Sequence, residues 1–128
     1  MRVLLDTHVL LWWLLDEDVI PLAARAAIAD EANDTFVSAA SAWEIAIRYK
    51  TGKLPSAGPL MVNLENAILD EGFGGMSVTL RHGELAGSLP LHHKDPFDRM
   101  LIAQALAESL TLISNERLFD NYGVTRLW

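Results

Sequence analysis

The chain has 128 residues, 51% of them apolar, with no cysteine and a formal net charge of −7. That length and apolar share suit one domain with a sizeable core. The lack of cysteine excludes disulfides, thiolate nucleophiles and zinc–sulfur sites, leaving oxygen or imidazole as metal donors and a reducing cytoplasm as the expected home. An acidic balance argues against broad electrostatic affinity for nucleic acid, so any such chemistry needs bound metal, a few placed cations or a basic partner to reverse the sign locally.

In chain order, Arg2–Leu5 predicts a buried first strand that ends at Asp6-Thr7. Val9–Leu15 predicts a helix leaving through Asp16-Glu17-Asp18. The same run fails as a signal-peptide core, because Asp6 and His8 interrupt its approach and no small-residue cleavage site follows. It is also too short to span a bilayer. Pro21 opens a second helix through Ile28. Thr35–Val37 predicts a second strand, and Ser38 or Ser41 caps a helix that runs through Tyr49 and stops near Thr51-Gly52. Lys53–Pro59 predicts a loop, and residues from about Leu60 to Asp70 a helix that Gly72–Gly75 ends. Met76–Val78 predicts a third strand, Leu80–Ala86 a short helix, and Leu89–Lys94 a loop. Phe97–Glu108 predicts a long helix, Leu110–Ile113 a strand, Asn115–Phe119 a helical turn, and Val124–Leu127 a last strand. Alternating strands and helices predict an α/β fold, a three-layer sandwich around a mostly parallel sheet of about five strands.

Four carboxylates fall where strands end or helices begin, at Asp6, Glu44, Asp98 and Glu116. In an open α/β sheet the crevice lies beyond the carboxyl ends of the strands, so acids placed there can converge. Converged carboxylates repel one another and call for protons or a divalent cation. For Asp6, capping of the following helix and site chemistry both remain open. Glu44 sits in a helix apolar on nearly every face. An i,i+4 pair with Arg48 is worth only about 0.2–0.5 kcal/mol, a weak reason for a carboxylate there. Asp95 caps and Pro96 takes the first helical position, which explains Asp95 structurally. Asp98 shares the stripe of Leu101, Ile102 and Ala105, and this stripe faces the core. Glu116 alone reads as a surface residue, and its claim depends on the other three. His92-His93 lacks the spacing of a metal pair, which leaves these histidines at the surface or beside the site. Arg48, Lys50, Lys53, Arg81, Lys94 and Arg99 are candidate local cations, each read alone as a solvated surface charge.

Leu5–Trp12, Ser38–Ala46, Gly52-Lys53-Leu54, His92–Arg99 and Leu101–Ala105 together resemble PIN-domain proteins, specifically the VapC-like ribonuclease toxins of toxin–antitoxin pairs. The resemblance runs over essentially the whole chain, with the motifs in the family's order. It implies an acidic pocket binding Mg²⁺, with Mn²⁺ as a substitute, and metal-dependent endonuclease action on RNA that leaves 5′-phosphate and 3′-hydroxyl ends. It also implies frequent homodimers and a cognate antitoxin. By position, Asp6, Glu44 and Asp98 match the three core acids. Glu116 matches the fourth, with glutamate where aspartate is usual, so its longer side chain would move a metal contact onto a bridging water. An aspartyl-phosphate phosphatase would want a second acid two residues after Asp6, where His8 stands. A receiver-like module would want paired acids there and a late lysine. A degenerate PIN module that binds antitoxin or RNA without turnover remains the alternative.

Overall fold

Alternation along the first strand divides the molecule into layers. In the computed structural model, which describes residues 1–128, β1 (Arg2–Leu5) sends Val3 and Leu5 to one side and Leu4 to the other. The helices are α1 (Thr7–Leu14), α2 (Leu22–Ala29), α3 (Ala39–Lys50), α4 (Leu64–Asp70), α5 (Leu80–Ser88) and α6 (Pro96–Glu108). Val3, Leu5 and Ile113 pack with Val9 and Leu10 of α1, Ile28 of α2, Ile45 of α3 and Ile68 of α4. Leu4 and Leu112 pack against Ala86 of α5 and Leu101, Ile102 and Ala105 of α6. The product is an α/β/α sandwich of the expected kind.

The remaining strands are β2 (Asp34–Ser38), β3 (Gly74–Met76), β4 (Thr111–Ile113) and β5 (Arg126–Leu127). The sheet order is β3-β2-β1-β4-β5, and every neighbouring pair is parallel. From β1 the chain moves out to β2 on one side and later returns to β4 on the other. Strand order therefore reverses at the carboxyl end of β1, which is where an open sheet leaves a crevice. Asp6 stands there, and its amide continues the ladder by donating to the Ile113 carbonyl at 3.0 Å. No helix is long and apolar enough to cross a membrane.

Three expectations shift. The third strand lies at Gly74–Met76 instead of Met76–Val78, because the Phe36 ring covers Gly74, where an added Cβ would meet it at 3.1 Å. Gly72, at φ +82°, is the glycine that ends α4. The helix expected from Leu60 is split. Pro55–Val62 is 3-10 helical, and α4 restarts at Leu64 under a cap from Asn63, whose side chain accepts from the Asn66 amide. The turn expected at Asn115–Phe119 becomes a 3-10 segment at Arg117–Tyr122, capped by Glu116.

Arg99 departs furthest from its surface reading. It is buried, and its guanidinium donates to the carbonyls of Ala86 and Leu89 at 2.8 Å, Pro90 at 2.9 Å and His93 at 3.1 Å, with a longer contact to Gly87. These carbonyls end α5 and line the loop leading to α6, and a fork of five donors suits several of them at once. Arg99→Ala removes the donors and leaves the carbonyls behind, so it lowers unfolding free energy by about 2–4 kcal/mol in urea denaturation. A loss below about 0.5 kcal/mol, the range of ordinary surface substitutions, would return Arg99 to a surface role.

Candidate active site

Each acid is brought to the crevice by a different local rule. Asp6 leaves β1 and caps α1, its Oδ1 accepting from the His8 amide at 3.2 Å. Its Oδ2 accepts from the Ser114 hydroxyl at 2.5 Å, which ties β1 to the end of β4. Capping, one of the two alternatives open in the sequence, is thus realised. Asp6 is only 3% exposed, so its charge is held close to the core.

Asp98 lies in the first turn of α6, where the helix dipole favours an acid. Asp95 caps that helix, accepting at Oδ1 from the amides of Phe97 and Asp98. Burial, followed by the charges of Asp6, Asp95, Glu44 and Glu116, pushes the Asp98 carboxyl from 3.8 up to about 8. Those neighbours are the other three predicted acids and the cap.

Glu44 is buried on α3, and burial raises its pKa above the ordinary range. The Thr7 hydroxyl opposes that shift, Asp95 adds to it, and Arg48 and His8 oppose it. Its Oε2 lies 3.8 Å from Arg48 Nη1, so the i,i+4 pair exists but is longer than a charge-assisted hydrogen bond. Its buried Oε1 has no partner, the kind of orphaned acceptor that calls for a cation or water. The helix, expected to be apolar on nearly every face, is buried on one side only. Trp43, beside Glu44, is 64% exposed and its ring stands edge-on to Phe97.

A cavity of about 200 Å³ is lined by Asp6, His8, Trp12, Asp98, Asn115 and Glu116. Three of the four predicted acids therefore share one wall system. Glu44 stands outside this lining while acting electrostatically on Asp98. Glu116 is half-buried, its Oε1 accepting from the Leu118 amide as the cap of the 3-10 segment. No three acidic or imidazole side chains are gathered at mutual metal-coordinating distance.

Three contributors are absent from the predicted site. His93 Nδ1 accepts from the Asp95 amide, and its Nε2 lies 2.8 Å from Asp98 Oδ2 without hydrogen-bond alignment, so the contact is one of proximity and charge. The adjacent histidine pair carried that signal in the sequence, and only the fold shows which member turns inward. His8 reaches the cavity because it lies one residue into α1. Asn115 precedes Glu116 in the same turn and had no signal of its own.

The model of the family described as PIN domain matches residues 3–124. Ribonuclease VapC22 of Mycobacterium tuberculosis (strain ATCC 25618 / H37Rv) is 30% identical over 116 residues, 90% of this chain and 87% of that protein. Ribonuclease VapC16 of the same organism is 57% identical over 35 residues, 27% of this chain and 25% of that one. In the solved structures, a chain from the crystal structure of VapBC2 from Rickettsia felis, bound to a DNA fragment from their promoter, superposes with a TM-score of 0.69. It covers 99% of this chain and 98% of that one at 15% identity, which is a likeness of fold.

The raised carboxyl has a consequence for the metal-free protein. The folded state keeps the Asp98 proton up to about pH 8, whereas the unfolded chain loses it near the ordinary 3.8. Between those values the native state binds more protons, so this group's share of stability falls as pH rises through that window, and Glu44 acts in the same direction. Asp98→Asn does not ionise, so thermal unfolding followed across pH without metal shows a flatter decline and a higher melting temperature above about pH 8. An unchanged pH profile would mean that Asp98 ionises as an ordinary carboxyl.

Proposed function

The chain belongs to the PIN domain family and is VapC-like, and from that premise we propose that it is a divalent-metal-dependent endoribonuclease, the toxin of a toxin–antitoxin pair. The observation that carries this reading is the acidic cavity over β1, where Asp6, Asp98 and Glu116 share the lining and where burial, followed by the neighbouring carboxylates, raises the Asp98 carboxyl to about 8. The fit to a cation is supported by the donor set: hard carboxylate oxygens without sulfur, which suit Mg²⁺ with Mn²⁺ as a substitute. The unpaired Oε1 of buried Glu44 supports it further.

Asp6, Glu44 and Asp98 would hold the ion, and Glu116, already committed at Oε1, would contribute its other oxygen or a bridging water. When bound, such an ion lowers the pKa of a water and stabilises negative charge on phosphoryl oxygens. The chain's own groups prepare that site. The Ser114 hydroxyl and His8 amide fix the Asp6 carboxylate. Asp95 fixes the first turn of α6 that carries Asp98. Arg48 offsets part of the Glu44 charge. The reaction is hydrolysis of an RNA phosphodiester, leaving a 5′-phosphate and a 3′-hydroxyl. A cognate antitoxin and a second copy of the chain are the partners of the same reading, and the cytoplasm is its place of action.

Purified, antitoxin-free protein incubated with total cellular RNA and Mg²⁺ or Mn²⁺ yields cleavage that EDTA abolishes and that Asp6→Asn reduces at least about 100-fold, the scale of a lost electrostatic contributor. Asp98→Asn gives a similar loss with the fold retained. Absence of cleavage, with Mn²⁺ binding intact by calorimetry, would instead favour a degenerate module that binds without turnover. Cognate antitoxin that occupies the pocket weakens Mn²⁺ binding, and unchanged binding would refute that route of neutralisation. Light scattering of the free protein reads a dimer mass, and a monomer mass would remove the second copy.

A further inference from the structure

We propose that Arg48, backed by His8, is the phosphate anchor of the acidic cleft, holding a phosphate of single-stranded RNA next to the bond that is cut. The proposal rests on the ribonuclease reading and deepens it by naming the group that receives the substrate's charge.

A chain of net charge −7 needs positive charge close to its acidic pocket if a polyanion is to approach. Most of its arginines are committed elsewhere. Arg99 is buried among carbonyls, and Arg126 forks onto Asp120 and donates to the Ser114 carbonyl. Arg2 donates to the Glu108 carbonyl and lies over Phe36. Arg25 donates to the Glu17 carbonyl and lies over Trp13. Arg48 differs because both groups it meets belong to the site. Its Nη1 lies 3.3 Å from His8 Nε2 and 3.8 Å from Glu44 Oε2.

Neither contact uses the guanidinium fully. Arginine has five N–H donors and no acceptor, so Nη1 donates to the imidazole nitrogen, while the approach to Glu44 is single and too long for a charge-assisted bond. The planar fork is left with donors to spare on a side chain that is 30% exposed. Two N–H groups of such a fork match two phosphate oxygens, a geometry that lysine does not reproduce. His8 keeps the fork at the cleft. Its ring lines the cavity, its Nδ1 lies 3.9 Å from Asp6 Oδ1, and its opposite nitrogen faces Arg48. A phosphate on Arg48 thus lies beside the wall that carries Asp6.

Arg48 would then act by positioning. The simpler role, an i,i+4 partner that only steadies Glu44 and α3, makes a different prediction for salt dependence. Each phosphate neutralised on a single strand contributes about 0.7 to the slope of log affinity against log salt. A partner of Glu44 contributes nothing to it.

The test uses Asp98→Asn as the parent, so that RNA is bound without being cut, with fluorescein-labelled single-stranded RNA of mixed sequence in Mg²⁺ and anisotropy read over a range of KCl. Adding Arg48→Met weakens binding several-fold at low salt and lowers the slope by about 0.7, while Arg48→Lys restores the slope but only part of the affinity. With Asp98 intact, Arg48→Met raises KM by a larger factor than it lowers kcat, as expected for binding lost in ground and transition states alike. Arg48→Gln, which keeps donors without the charge, stands in if the methionine variant does not fold. An unchanged slope in a folded Arg48 variant overturns the anchor and leaves the ribonuclease reading untouched. A parent that binds no RNA at any salt, together with a wild-type chain that cuts none, overturns both.

Discussion

The structure turns on one constraint: several carboxylates must be held at the carboxyl end of β1 while the rest of that strand is buried. Topology makes the place and also partly relieves it. In a parallel sheet the helices begin where the strands end, so α1 starts directly after Asp6 and α3 directly after β2. Each helix start brings unpaired amides and a partial positive charge. The His8, Phe97 and Asp98 amides are spent on Asp6 and Asp95 in this way. That relief is incomplete, because Asp98 still holds its proton to about pH 8. What fixed dipoles leave over is the charge a divalent cation would answer.

The second demand is rigidity in the segment that delivers Asp98. This acid reaches the crevice through a loop and the first turn of α6, which the sheet does not itself fix. Arg99, one residue on, grips the end of α5 and the loop carbonyls from inside. Further along, His82 Nδ1 accepts from the Thr79 amide while its Nε2 lies 2.9 Å from Glu108 Oε1, and Gln104 donates to the Ser77 carbonyl. These polar contacts join the start of α5 to the far half of α6. The acid is thereby placed by a polar frame on the side of the sheet opposite α1, where an apolar contact alone would allow sliding.

What was legible in the sequence follows from how local each signal was. Strand β1 and its exit at Asp6 are written in consecutive residues, as is the Asp95-Pro96 start of α6, and both stand as expected. Asp6, Asp98 and Glu116 could be named because each follows such a boundary. The errors are non-local. Gly74 joins the sheet because Phe36, 38 positions earlier, needs a neighbour without a side chain. Arg99 resembles any surface arginine until the carbonyls that surround it are assembled by the fold. Glu44 was read as an acid buried in an apolar helix, and it is buried, but its helix exposes Trp43, an asymmetry that composition does not reveal. His93 could not be separated from His92 because adjacent loop residues point apart, and only tertiary packing selects one.

The site's charge state ties these elements together. A proton and a divalent cation would answer the same repulsion, so on the proposed reading they would compete for Asp98, whose pKa is raised by burial first and then by four carboxylates. At neutral pH the metal-free pocket keeps a proton, while a pocket holding a cation has no such need. Phosphate approach would depend on the same balance, since each uncompensated carboxylate repels an anion. Arg48 lies on the Glu44 side and touches His8, which places a permanent positive charge between an acid that lines the cavity and one that lies just outside it. An acidic protein can therefore present a locally receptive cleft without a basic surface, because charges within a few ångströms of the pocket act there directly while the remaining surface charge is screened beyond a Debye length of about 8 Å.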